Sequence, residues 1–369
     1  MSEHDNIEEE NEHLALLSQQ GYQLLKENMY EEARARFEEI LAEDRENNYA
    51  LVGLGDLERK LGQYDRAARY YQQCLDFYPD NNYALFGLAE SYRELKQYNR
   101  AVQHWEKYLE HDDKNVTVLT RVADAYRKAR NFERSRELYL QVLDLEEQNP
   151  YALIGLGHLY YDFKRFENAL HYWEAMYKIS GESVDIRVLT SLGNCHRKLK
   201  TYEQGIPYFA KAIEREPDNF YALYGLADCY RGMHKPEQAL EYWCKLRDID
   251  GTNKVILTRI GDAYRNMDQY DTAEEYYQKA LNIAFDSYAV LGLAIIHRIR
   301  KNYDAAITTL EDLVNSDPSN VRATLELARC YEELKRIPEA LAILSRHTQA
   351  VRNPSKSILR RIAELRPGD

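Results

Sequence analysis

The sequence predicts an all-α protein built as a solenoid of about ten helical hairpins, and three observations carry that prediction. Small residues recur at Ala33, Ala67, Ala101, Ser135, Ala169, Gly205, Ala239, Ala273, Ala306 and Ala340, at spacings of 34, 34, 34, 34, 36, 34, 34, 33 and 34. Four residues after each stands Phe37, Tyr71, Trp105, Tyr139, Trp173, Phe209, Trp243, Tyr277, Leu310 or Leu344. Apolar positions within each half repeat follow i, i+3, i+4, i+7, the spacing of one helix face. Self-similarity at a fixed period overrides the two or three globular domains that 369 residues would otherwise suggest.

In chain order, the first segment, 1–13, carries six acids and no Lys or Arg and is expected to be disordered. Repeats follow near 14–47, 48–81, 82–115, 116–149, 150–185, 186–219, 220–253, 254–286, 287–320 and 321–350. Their junctions collect Asn, Asp and Pro, as in "YPDNN", "EPDNF" and "DPSN", where turns and helix starts belong. The last segment, 351–369, reads as a capping helix with Ile358, Ile362 and Leu365 on one face, the lid that a solenoid needs. Each small residue lets two helices approach, and the aromatic one turn later fills the space beside it.

Seven residues of "YALVGLGDLERKLGQYDRAARYYQQCLDFYPD", namely Leu51, Leu54, Gly55, Tyr64, Ala67, Tyr71 and Pro79, resemble the signature of the tetratricopeptide repeat family. The resemblance runs from Leu14 to about Ala350. It implies a right-handed superhelix of paired antiparallel helices whose first helices line a concave groove for protein partners. The chain departs from the family at the turn inside the hairpin. Only Gly62 supplies the glycine often found there, and Lys96, Arg130, Lys164, Lys200, His234, Asp268, Lys301 and Lys335 stand in the other turns. A left-handed backbone at such a residue costs on the order of 1 kcal/mol. The 36-residue interval places two extra residues near "SGESVD", a local bend or a contact loop.

A second rhythm overlies the first. "YALFGLAESYRELKQY" from Tyr83 is echoed at Tyr151, Tyr221 and Tyr288, and "VLTRVADAYRKARNF" from Val118 returns from Val188 and Ile256. Trp105, Trp173 and Trp243 occur only in the first kind of repeat. Two readings stand: interchangeable packing solutions in a duplicated pair of hairpins, or a ligand that meets a two-repeat rhythm.

Composition limits the function classes. The 49 Lys and Arg against 61 Asp and Glu give a net charge of −12. An acidic body argues against tracking nucleic-acid phosphates, which takes a basic stripe. No apolar run approaches the roughly 18–20 residues that span a bilayer. The acidic start and five cysteines without a CxxC pair point to reduced thiols and a cytoplasmic location. Cys195, Cys229 and Cys330 share one slot with Leu57, Ala125, Ala263 and Ile296, and Cys74 also replaces core-type residues. His196 and His297 occupy the slot of Tyr92, Tyr126 and Tyr264, which favours stacking over metal ligation. No HExxH, phosphate-cradling glycine loop or nucleophile elbow occurs, so no cofactor, metal or catalytic role is expected.

The expected function is a non-catalytic scaffold or adaptor that holds a partner peptide or helix in the concave groove. Self-assembly through the −6 start and the +4 segment from Ser345 onward is the alternative, and RNA binding is less favoured. The candidate contacts begin with an acid-x-x-Arg column on the first helices. Its arginines are Arg59, Arg93, Arg127, Arg231 and Arg265, with Arg197 beside Asn194 and Arg298 lacking an acid on its own helix. The acids include Asp124, Asp228 and Asp262. Either the column neutralises itself or its arginines fork onto a partner's carboxylates and carbonyls. Tyr83, Tyr151, Tyr221 and Tyr288 begin first helices, with Phe86 and Tyr224 three residues on, for core packing and turn capping or for gripping a partner. The column breaks at His158 and Tyr161, beside the insertion, the best single candidate for a specificity point. The family's dicarboxylate clamp needs Lys and Asn four apart, and pairs such as Thr190/Asn194 stand there instead, so chaperone-tail binding is not expected.

Overall fold

The computed structural model describes residues 3–366, with side chains for 12–181 and 183–366. Its helices are α1 (Glu3–Lys26), α2 (Tyr30–Glu43), α3 (Asn48–Lys60), α4 (Tyr64–Phe77), α5 (Asn82–Glu94), α6 (Tyr98–His111), α7 (Val116–Lys128), α8 (Phe132–Leu145), α9 (Pro150–Asp162) and α10 (Phe166–Ser180). After a 3-10 turn at Gly181–Ser183 come α11 (Ile186–Leu199), α12 (Tyr202–Arg215), α13 (Phe220–Gly232), α14 (Pro236–Ile249), α15 (Lys254–Asn266), α16 (Tyr270–Ile283), α17 (Ser287–Ile299), α18 (Tyr303–Ser316), α19 (Val321–Glu333), α20 (Ile337–Ala350) and α21 (Lys356–Leu365). No strand occurs among the described residues. Helix α1 starts at Glu3, so the acidic segment read as disordered is helical from that residue.

The chain divides into two compact units, Met1–Val184 and Asp185–Asp369. The division falls on the two-residue insertion, after the Trp173 hairpin. Within each unit a hairpin's second helix packs on its own first helix and on the next one, and first helices also touch at α1/α3, α3/α5, α7/α9, α11/α13, α15/α17 and α17/α19.

Local chemistry sets each boundary. Each first helix from α3 to α19 follows an Asn or Asp whose side chain accepts a backbone N–H of the first turn, as Asn81 does from Ala84 at 2.9 Å. Such a cap stabilises by about 1 kcal/mol. Lys96, Arg130, Lys164, Lys200, His234, Asp268, Lys301 and Lys335 all adopt left-handed φ of 57–63°, as their turn positions require. The small residues Ala33, Ala67 and Ala101 are fully buried, and so are Phe37, Tyr71 and Trp105 beside them. Helix α21 buries Ile358 and Ile362 against the last hairpin.

The second rhythm is a packing alternation. Tyr71 of α4 lies between two glycines: a Cβ built on Gly55 of α3 would lie 2.5 Å from its ring, and one on Gly87 of α5 2.3 Å. Phe209 sits in the same way between Gly193 and Gly225, and Tyr277 between Gly261 and Gly292. First helices come closest at these joints, as at α3/α5, α11/α13 and α15/α17. After Trp105 and Trp243 the glycine position of the following helix holds Arg121 or Arg259, and α5/α7 and α13/α15 are more open. Beside Trp243 a space of about 20 Å³ remains, lined in part by Arg231, Arg259 and Asp262. That is room for about one water. The "YAL-x-G" phrase therefore accepts a Tyr or Phe from the hairpin before it, and the "VLT" phrase follows a Trp.

Two buried tyrosine hydroxyls bond acids of the column. Tyr71 Oη donates to Asp56 Oδ1 at 2.7 Å, and Tyr277 Oη to Asp262 Oδ1 at 2.8 Å. Where Phe209 offers no hydroxyl, the matching first-helix residue is Asn194 rather than an acid. Buried Cys74 and Cys330 have thiols raised by burial to about 11, and Cys195 and Cys229 to about 12, so they behave as small core residues. His196 stacks on Tyr208 at 5.7 Å, the slot filled by Tyr92 on His104 and Tyr264 on Tyr276.

Candidate functional site

The arginine column is already engaged within the fold. Arg59 Nη2 bonds Asp56 at 3.1 Å, Arg93 bonds Glu90 at 2.8 Å, and Arg265 lies 3.3 Å from Asp262. Arg127 pairs with Asp124 at 2.6 Å and with Asp162 of the next first helix, and its side chain is only 10% exposed. Arg197 and Arg231 converge on Asp228 at 2.8 and 2.6 Å. Arg298 lacks an acid on α17 but is buried between Glu326 and Glu333 of α19. The column thus neutralises itself in this state.

Two of its acids respond oppositely to their surroundings. Burial raises the Glu90 carboxyl, and Arg121 and Arg93 offset this only in part. Burial would also raise Asp228, but hydrogen bonds and charge from Arg197 and Arg231 outweigh it and hold the carboxyl below 3.8. Arg121 and Arg259 form a second arginine set that the acid-x-x-Arg pattern did not reveal. Arg121 reaches back to Glu90 of α5 at 3.0 Å, and Arg259 pairs with Asp262 on its own helix at 3.3 Å. Their signal was the change from Gly to Arg at one repeat position.

The tyrosines are not core. Tyr83, Tyr151 and Tyr221 are 79%, 73% and 72% exposed, and Tyr49 and Tyr288 are exposed as well. Phe86 is half-buried against Tyr108, with Arg121 over its ring, and Tyr224 packs edge-on to Trp243 at 5.0 Å. Tyr161 packs against Phe166 at 5.3 Å.

Two clefts open on the first-helix face of the first unit. One, of about 630 Å³, is lined by Arg93 of α5, Thr120, Arg121 and Asp124 of α7, and Tyr151 and His158 of α9. His158 stands edge-on to Trp173 at 4.7 Å with its residue surface exposed. Surrounding protein and Arg127 nevertheless lower its pKa. The structure thus brings the break in the column together with Tyr151 and two arginines. The other cleft, of about 840 Å³, lies among α1, α3 and the start of α5, with Tyr22, Tyr49 and Tyr83 in its lining.

These features define an all-α hairpin-repeat protein whose first helices carry the candidate residues. Tetratricopeptide repeat patterns match residues 19–82, 53–115, 121–183, 186–219, 208–241, 256–287 and 298–361. The chain belongs to the tetratricopeptide repeat family. No curated protein sequence matches it. Among solved structures, a tetratricopeptide repeat protein from Parabacteroides merdae ATCC 43184 is 14% identical, with a TM-score of 0.51 over 68% of this chain and 98% of that one. Yeast Tom70 is 16% identical over 96% of this chain and 95% of its own, with a TM-score of 0.43. YrrB, described as having an unusual peptide-binding site, is 19% identical over 50% and 95%, with a TM-score of 0.45. No described helix is long and apolar enough to cross a membrane.

Proposed function

We propose that the chain is a non-catalytic scaffold whose first-helix face holds an extended or helical segment of a partner protein. One observation carries this reading: large tyrosines stand exposed at the starts of first helices, beside clefts, where the core has no use for them. Tyrosine brings broad contact area with little side-chain entropy to lose, which suits it to gripping another chain. The arginines play a different part from the tyrosines. A partner carboxylate would have to displace Asp124 or Asp228, so Arg127 and Arg231 pre-shape the face, and His158 with Arg121 marks the point of greatest individuality.

Phage-displayed peptides selected on the wild-type protein test this. Tyr83→Ala with Tyr151→Ala should abolish their binding while helical circular dichroism is unchanged. Selected peptides that bind the double variant as well as the wild type overturn the reading.

Head-to-tail self-assembly has one observation in its favour: residues 1–184 carry 22 basic and 35 acidic residues, and 185–369 carry 27 and 26. Light scattering across a salt series tests it, since such an assembly dissociates as the charges are screened.

A further inference from the structure

We infer that the cleft at the start of the first unit takes a Lys- or Arg-bearing peptide segment, its cationic head held by tyrosine rings and aspartates. This rests on the scaffold reading and names the chemistry of one place on that face.

The cleft has three parts suited to such a side chain. Tyr22, Tyr49 and Tyr83 supply aromatic surface, Asp44 and Asp56 supply carboxylates, and no Lys or Arg is among the described residues that line it. Leu14 and Val52 add apolar surface on which an aliphatic stem can lie. A cation over a tyrosine face is attracted by the ring quadrupole, and more strongly when partly desolvated. Asp56 retains acceptor capacity, because Arg59 and Tyr71 both bond its Oδ1. Its charge reaches the cleft wall: the Tyr22 phenol is raised by burial and then by Asp56.

The wider field has the same sign. Residues 1–184, the unit that holds the cleft, carry 22 basic and 35 acidic residues. The cleft farther along the unit sets Arg93 and Arg121 against Asp124 and Glu146, so its charges balance, whereas Asp44 and Asp56 leave the first cleft negative. Charge complementarity therefore commits the occupant to a basic segment.

Fluorescence anisotropy on the full chain tests the inference with three labelled alanine–leucine peptides that differ only in a central pair: Lys, Gln or Glu. The Lys peptide should bind about tenfold more tightly than the Gln peptide, from cation–π and carboxylate contacts together, and the Glu peptide most weakly. Trimethylation of the lysines should keep the part of binding that depends on the tyrosines, since the rings need only the charge, and lose the part that depends on N–H donation to the aspartates. Tyr49→Ala with Tyr83→Ala should weaken the Lys peptide about tenfold, while Lys335→Gly, in the turn of the last hairpin, leaves it unchanged. Lys binding that ignores the tyrosine variant is general attraction to an acidic protein and overturns the inference. A Gln or Glu peptide that binds as well as Lys in a tyrosine-dependent way overturns it too, yet leaves the scaffold reading standing. If no peptide responds to the tyrosines, both fall.

Discussion

The joints α3/α5 and α5/α7 are neighbours in one unit, yet they are packed by different rules. At the first, Tyr71 fills the gap between Gly55 and Gly87, so any added side-chain atom meets a ring at about van der Waals overlap. At the second, Trp105 is fully buried and the next helix offers Arg121, which leans back onto buried Glu90. One joint is a close approach of backbones, and the other is spanned by a large ring and an ion pair. The difference teaches that the two-repeat rhythm is required by packing before any ligand is considered. A close backbone approach and a bulky ring need different partners.

The largest effect that can break this comparison is loss of the ring. Trp243→Ala should destabilise its unit by about 3–5 kcal/mol, measured by urea denaturation, and a loss under 1 kcal/mol would mean the open joints do not depend on their tryptophans. Next is the close approach: Gly225→Ala places a Cβ 2.2 Å from the Phe209 ring and should cost about 1–3 kcal/mol. An unchanged melt would show that the joint has slack.

The buried acids sharpen the comparison through pH. Glu90 is raised above its ordinary 4.5, so its contribution to stability declines as pH rises through the folded value. Asp228 is held below 3.8, so its contribution is present above that value and lost as pH falls through the lower folded one. The defect of Glu90→Gln should therefore shrink as pH rises above the ordinary carboxylate range, and that of Asp228→Asn should shrink on acidification. Urea midpoints from pH 3 to pH 7 check the two signs, and parallel trends would contradict them. The smallest effect lies away from either joint. Lys96→Gly in its left-handed turn should be neutral or stabilising by up to about 1 kcal/mol, whereas Lys96→Val should destabilise.

Most of the architecture was legible because a repeat states its packing many times over. The small residue at Ala67 and the large one at Tyr71 recur often enough to place the hairpins, but the insertion near Gly181, read as a bend or contact loop, did not announce that the chain divides into two units there. The site was legible only in part. Asp228 and Arg231 were paired by spacing, but their shared bonding with Arg197 crosses from one hairpin to the next. Arg121 was hidden because its partner, Glu90, lies 31 residues away. Tyr83 and Tyr71 are the same residue type, and only their surroundings make one exposed and the other core.

By itself the sequence determined the all-α class, the period, the small and aromatic positions and the left-handed turns, because each rests on local spacing or backbone sterics. Only the tertiary structure decided which rings are buried, which acids are shifted up or down, and where the clefts open. Those properties depend on how closely one hairpin approaches the next, and that distance is set by the pair of side chains meeting at each joint.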